Sequence, residues 1–125
     1  SMVSAAHSSS IGSDNGPVYA GAEAGYMIRA EGHTIYFSGD TDIMADMGWM
    51  GEYYAPDIGI LCAGGHFTMD MKAAAWAAKK YFDFKTVIPC HYKTFPLLAQ
   101  TADELVAELP GIDVKVLEVL DSVEI

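Results

Sequence analysis

The sequence predicts a layered α+β fold in which one mixed β-sheet carries flanking helices, and three observations predict it. Short apolar runs stop at turn residues, as Ile35-Tyr36-Phe37 stops at Ser38-Gly39-Asp40. The later runs alternate with helical periodicity, in the order strands, helix, strand, helix, strand. Hydrophobic residues make up 51% of the 125, enough for one core in a single domain spanning residues 1–125.

Each element has its own reason. Residues 2–7 read as a short strand ending at His7, and the Ser, Gly, Asn and Asp of residues 8–17 read as a loop. Residues 25–30 and 34–38 flank the turn signal Glu31-Gly32-His33, which predicts a hairpin. The Met-rich stretch 43–54 predicts a loose helix, weakened by Gly48 and Gly51. Residues 57–63 form a buried strand before Gly64-Gly65. A firm helix follows over 68–82, with Thr68 as its cap, Asp70 at the positive end and Lys79-Lys80 at the other. Residues 85–90 are a strand. Thr101 and Glu104 make a capping box for a helix whose face carries Ala102, Leu105, Val106 and Leu109. Pro110-Gly111 ends it, a strand is expected over 114–119, and 123–125 suit another.

The net charge of −10 argues against a nucleic-acid backbone or an anionic membrane as partner. No long uncharged apolar run suits a membrane span, and no signal peptide is visible. Cys62 and Cys90 lack a CxxC spacing and read as small buried hydrophobes of a reducing, cytoplasmic compartment. Ser1 before Met2 reads as the remnant of a cleaved tag.

His7, Asp40 and His91 each fall where a predicted strand runs out. Sheets mixed with helices gather their ligands at the carboxyl ends of strands, so these three can converge. Imidazole and carboxylate suit a divalent ion such as zinc or manganese. Taken singly, each has a plain alternative. A histidine at a strand end serves as a hydrogen-bonded structural residue, and Asp40 serves as a turn residue accepting backbone N–H bonds. His33 is expected to be solvated in its turn, and His66 to lie near a site or near substrate. The Met and aromatic residues from 44 to 54 read as core or interface.

The segments AAHSSS, GYMIRAEGHTIYFSGDTDIMADM, YYAPDIGILCAGGHFTMD and VIPCHYKTFP, in this order, resemble the metallo-β-lactamase superfamily. The match is to predicted metal-dependent hydrolases related to L-ascorbate-6-phosphate lactonase. By that resemblance His7 is a ligand to a first metal, Asp40 a bridging carboxylate and His91 a ligand to a second metal. His66, Tyr92 and Thr94 fall close to the site, and Asp40 and His66 carry the catalytic roles. The family's HxHxDH motif has no counterpart here, since the sequence contains no HxH. The resemblance therefore implies the C-terminal half of an αββα sandwich, with an incomplete zinc or manganese site. A complete enzyme of this kind hydrolyses an ester-like bond, a lactone or phosphoester, of a small molecule, using a water acidified by metal.

Three readings follow. The chain is half of a hydrolase that pairs with a missing N-terminal half, or a non-catalytic truncated module that assembles as a homo-oligomer such as a homodimer. In the third, it is a metal-binding domain that recruits His33, His66 or Asp42 as replacement ligands.

Overall fold

The computed structural model describes residues 1–125. In chain order the elements are β1 (Met2–Ser4), β2 (Ser10–Ile11), β3 (Val18–Tyr19), β4 (Ala24–Ala30), β5 (His33–Phe37), α1 (Asp46–Tyr54), β6 (Ile58–Cys62), α2 (Met71–Tyr81), β7 (Thr86–Cys90), α3 (Asp103–Glu108) and β8 (Asp113–Val114). A six-stranded sheet takes the order β1-β4-β5-β6-β7-β8, while β2 and β3 form a separate small hairpin. β1 pairs antiparallel with β4 and β4 with β5, and the remaining neighbours are parallel. The expected α+β class, with a mixed sheet and flanking helices, is what the chain forms.

The period of two decides which side of the sheet is covered. On β4, Gly25 and Met27 are buried, whereas Tyr26 and Ile28 are 45% and 47% exposed. Met27, Tyr36, Leu61 and Val87 belong to one core with Met47 and Met50 of α1, the alanines of α2 and Leu105 of α3. All three helices thus bury their residues on one side. The other side shows a connected apolar surface. Tyr26 pairs with Phe37 and Ile28 with Ile35, and Phe37, Ile60 and Ile88 continue it strand by strand. Near its end, Val123–Ile125 approach Ile35 and Ile58.

Several boundaries differ from the sequence expectation. The cap of α2 is Asp70, whose carboxylate accepts from the Ala73 N–H at 2.7 Å; Thr68 instead donates to the Met69 carbonyl. An aspartate one residue before the first turn competes better for the orphan N–H groups than a threonine two residues further back. The capping box at α3 does not form. Ala102 holds the cap position without a side-chain bond, and Glu104 turns to Lys72 at 3.3 Å. Val106 is exposed, while Ala102, Leu105 and Leu109 are buried. The late strand is only Asp113–Val114, because Glu118 and Asp121 bond each other in a turn that ends the run. Residues 123–125 form no strand. No helix is long and apolar enough to cross a membrane.

Candidate metal centre

Strand direction assembles the site. β1 and β5 both run antiparallel to β4, so they run the same way, and β6 and β7 follow β5 in parallel. The carboxyl ends of β1, β5, β6 and β7 therefore share one edge. Asp40 lies three residues beyond β5, His66 beyond β6, and His91 directly after β7. His7 lies in the segment that follows β1.

Buried hydroxyls tie these segments together. Ser38 and Thr41 are both fully buried. The Cys62 N–H donates to Ser38 Oγ at 3.0 Å, fixing the end of β6 to the end of β5. The Ala6 N–H donates to Thr41 Oγ1 at 2.8 Å, and the Asp42 N–H returns a bond to the Ala6 carbonyl at 3.0 Å. That pair of bonds sets the His7 segment alongside the Asp40 loop. The Met69 N–H donates to the Thr41 carbonyl at 3.1 Å and brings the His66 loop against the same turn.

Of the sequence-predicted residues, the structure brings Asp40 and His91 together. Asp40 Oδ2 lies 3.5 Å from His91 Nε2, with the side chains 48% and 26% exposed. His7 directs Nδ1 to the neighbouring Ser8 carbonyl at 2.8 Å. His66 is exposed, its ring edge-on to Phe67. His33 is not simply solvated. Its Nδ1 lies 2.7 Å from Asp57 Oδ2 at the opposite end of the sheet, where Lys85 also comes within 3.8 Å. The Thr34 N–H, followed by the His33 ring, holds the Asp57 carboxyl below its usual value. Nothing in the spacing of residues 33 and 57 announced that pairing, which depends on β5 and β6 being neighbours.

Cys90 and Tyr92, on either side of His91, are neutral. Burial pushes the Cys90 thiol up to about 12, so it stays protonated. Burial likewise raises Tyr92, which keeps its phenolic proton and can donate. His91 Nδ1 is buried without a partner.

Two donors on a tetrahedral zinc, each ~2.0–2.2 Å from it, lie about 3.4 Å apart. The Asp40–His91 separation of 3.5 Å has that spacing. No three His, Cys, Asp or Glu side chains stand close enough to hold an ion. A ligating histidine ordinarily donates its second nitrogen to an acceptor, and here that nitrogen is the orphan. The chain thus offers one edge of a coordination sphere, fit in chemistry and spacing.

No family model matches the chain. A UPF0173 metal-dependent hydrolase of Paracoccus denitrificans is 73% identical over 122 residues, covering 98% of this chain and 53% of that protein. One from Cereibacter sphaeroides is 70% identical over 124 residues, with 99% and 54% covered. The chain therefore spans about half the length of the curated relatives it matches. Among solved structures, the metallo hydrolase Igni18 of Ignicoccus hospitalis superposes with a TM-score of 0.74 at 33% identity, over 94% of this chain and 48% of that one. A Thermotoga maritima protein of the metallo-β-lactamase superfamily shares the fold at a TM-score of 0.59 and 19% identity, over 82% and 51%. The chain is thus similar, over about half of their length, to UPF0173 metal-dependent hydrolases, and it shares its fold with solved metallo hydrolases.

Proposed function

We propose that this chain is the C-terminal half of a divalent-metal hydrolase that cleaves an ester-like bond in a small molecule. The observation that carries the reading is the Asp40–His91 pair, spaced for a shared ion at the end of parallel strands. In this reading Asp40 and His91, with His7 on the neighbouring segment, would be this half's ligands to a divalent metal such as zinc or manganese. A divalent ion supplies Lewis acidity and an acidified water at neutral pH. Thr41 fixes the Asp40 loop through the Ala6 N–H, and in this reading the Tyr92 phenol and His66 would donate to substrate oxygen.

The remaining ligands come from the other half, which also covers the open side of the sheet. Tyr26, Ile28, Phe37, Ile60 and Ile88 form the surface that a second sheet packs on. An acceptor from that half satisfies His91 Nδ1. Mixing this chain with a separately expressed half carrying HxHxDH tests the reading. Stoichiometric metal, lost in Asp40→Asn and His91→Gln, is expected. A complex that forms but takes up metal equally well in both variants overturns it.

The open sheet side favours a second reading for the chain by itself. Tyr26 and Ile28 are exposed on it, and Phe37, Ile60 and Ile88 beside them are half-buried, an apolar surface that suits an interface. Alone, the chain pairs two copies sheet on sheet.

A further inference from the structure

A cavity of about 400 Å³ opens beside His91, with residues 90–94 on one wall and 117–119 on the other. It shares His91 with the metal edge, so a molecule held there by its scissile group extends its remainder into this hollow. Lys93 is the one lysine or arginine in the segments that follow β1, β5, β6 and β7, namely residues 5–9, 38–45, 63–70 and 91–102. Asp40, Asp42 and Asp70 in the same segments make the edge acidic. A single cation in such surroundings calls for an explanation.

Its present partner is weakly committed. Lys93 Nζ donates to both carboxylate oxygens of Glu118, at 2.7 and 2.9 Å. The two side chains are 53% and 70% exposed, and exposed pairs of this kind contribute little to stability. Exchanging the Glu118 carboxylate for another oxyanion is therefore cheap. The backbone beneath is not relaxed. His91 and Lys93 both adopt left-handed φ values, 54° and 67°. The Lys93 N–H is clamped to the Ala99 carbonyl at 2.8 Å, and the Ala99 N–H to the Gly64 carbonyl at 2.9 Å. Such conformations persist where the surroundings over-determine them, and they collect at ligand sites.

We propose that Lys93 recognises an oxyanion of the substrate, a carboxylate or a phosphate, and that Glu118 holds its place until that group arrives. Tyr92 and Thr94 line the same cavity with hydroxyls, and Leu117 and Val119 face an apolar portion. The substrate class is thereby narrowed to a small ester-like molecule bearing one anionic group and a short apolar segment. This rests on the hydrolase reading for the word substrate, but the anion site stands on its own residues.

The test uses the metal-free 125-residue chain and ¹⁵N NMR titration with inorganic phosphate and, separately, acetate. Shifts centred on Lys93, Thr94 and Glu118 are expected. Lys93→Met weakens binding at least tenfold, Lys93→Arg retains it, and Glu118→Gln tightens it several-fold. Response to phosphate alone assigns a phosphate, and response to both admits a carboxylate. If neither anion binds, or if Lys93→Met binds as well as the parent, the proposal fails. It also fails if Lys93→Met and Glu118→Gln loosen residues 116–121 alike and leave anion binding unchanged, since the pair is then only a tether. Should Lys93→Met not fold, Glu118→Gln decides, and no tightening overturns the proposal. Failure of the metal reading appears in the Asp40 and His91 variants and leaves these shifts untouched.

Discussion

Gly64 and His91 occupy the same space in adjacent loops: a Cβ added to Gly64 would run into the His91 carbonyl oxygen. The end of β6 lies flat against the end of β7, and no side chain fits between them. Gly64→Ala is expected to push the His91 backbone away from Asp40, at a cost of about 1–3 kcal/mol in overpacking. Denaturant unfolding measures that cost. Metal uptake by the complex with the other half should fall further than the stability change alone explains.

The chain by itself should show negligible hydrolase activity, because a catalytic zinc wants at least three protein ligands plus water. A chelator-sensitive rate on a lactone or phosphodiester from the pure chain would contradict this. Adding a half that carries HxHxDH is expected to bring activity and metal together.

Asp57 stabilises the far end of the sheet through the Thr34 N–H and the His33 ring. Its folded pKa is depressed, so its contribution is present above the unfolded value near ~3.9 and is lost as pH falls through the folded one. Asp57→Ala is expected to cost about 1.5–3 kcal/mol at neutral pH. The gap between parent and variant in urea denaturation should close below about pH 4.

Tyr36 buries a hydroxyl that finds no partner, while its ring stacks on Phe82. Removing an unpaired buried hydroxyl relieves desolvation without disturbing the stack. Tyr36→Phe should therefore be neutral or stabilising by about 1 kcal/mol. A loss of more than that in thermal unfolding would mean that the hydroxyl is satisfied in solution.

Light scattering at micromolar concentration should find the isolated chain as a dimer or larger. Ile28→Lys, on β4 of the open sheet side, is expected to return it to a monomer. A compact monomer of the parent chain would leave the sheet surface to be covered by its own residues.

The hairpin, the firm second helix and the ends of β5, β6 and β7 are legible in the sequence because each depends on neighbours within a few residues, whereas β1 stops at Ser4, short of the expected end at His7. Asp40 and His91 could be named for the same reason, since the end of an apolar run marks a strand terminus. Their contact is a property of strand order, which periodicity does not encode. His33 looked free because its partner Asp57 lies on the next strand. The caps were misread because Thr68 and Asp70 both satisfy the residue preference, and backbone geometry chooses between them. The Val114–Val119 run has strand composition, but the Glu118–Asp121 turn and the Lys93 bond draw it off the sheet after Val114.

β1 is three residues long and lies at the outer edge of the sheet, paired only to β4. Short edge elements open at low free energy, well below global unfolding. Asp40 and His91 follow β5 and β7, interior strands whose neighbours do not include β1. If His7 is a ligand, a metal that needs it is bound tightly only by the fraction of molecules in which β1 pairing and the Ala6–Thr41 and Asp42–Ala6 bonds hold its segment in place. Its apparent dissociation constant is the intrinsic one divided by that fraction. A tenfold rise in β1 fraying would weaken His7-dependent binding nearly tenfold once the frayed form dominates, with every ligand atom unchanged. Affinity at this edge would then be tuned from Met2, Val3 and Ser4, none of which is a candidate ligand.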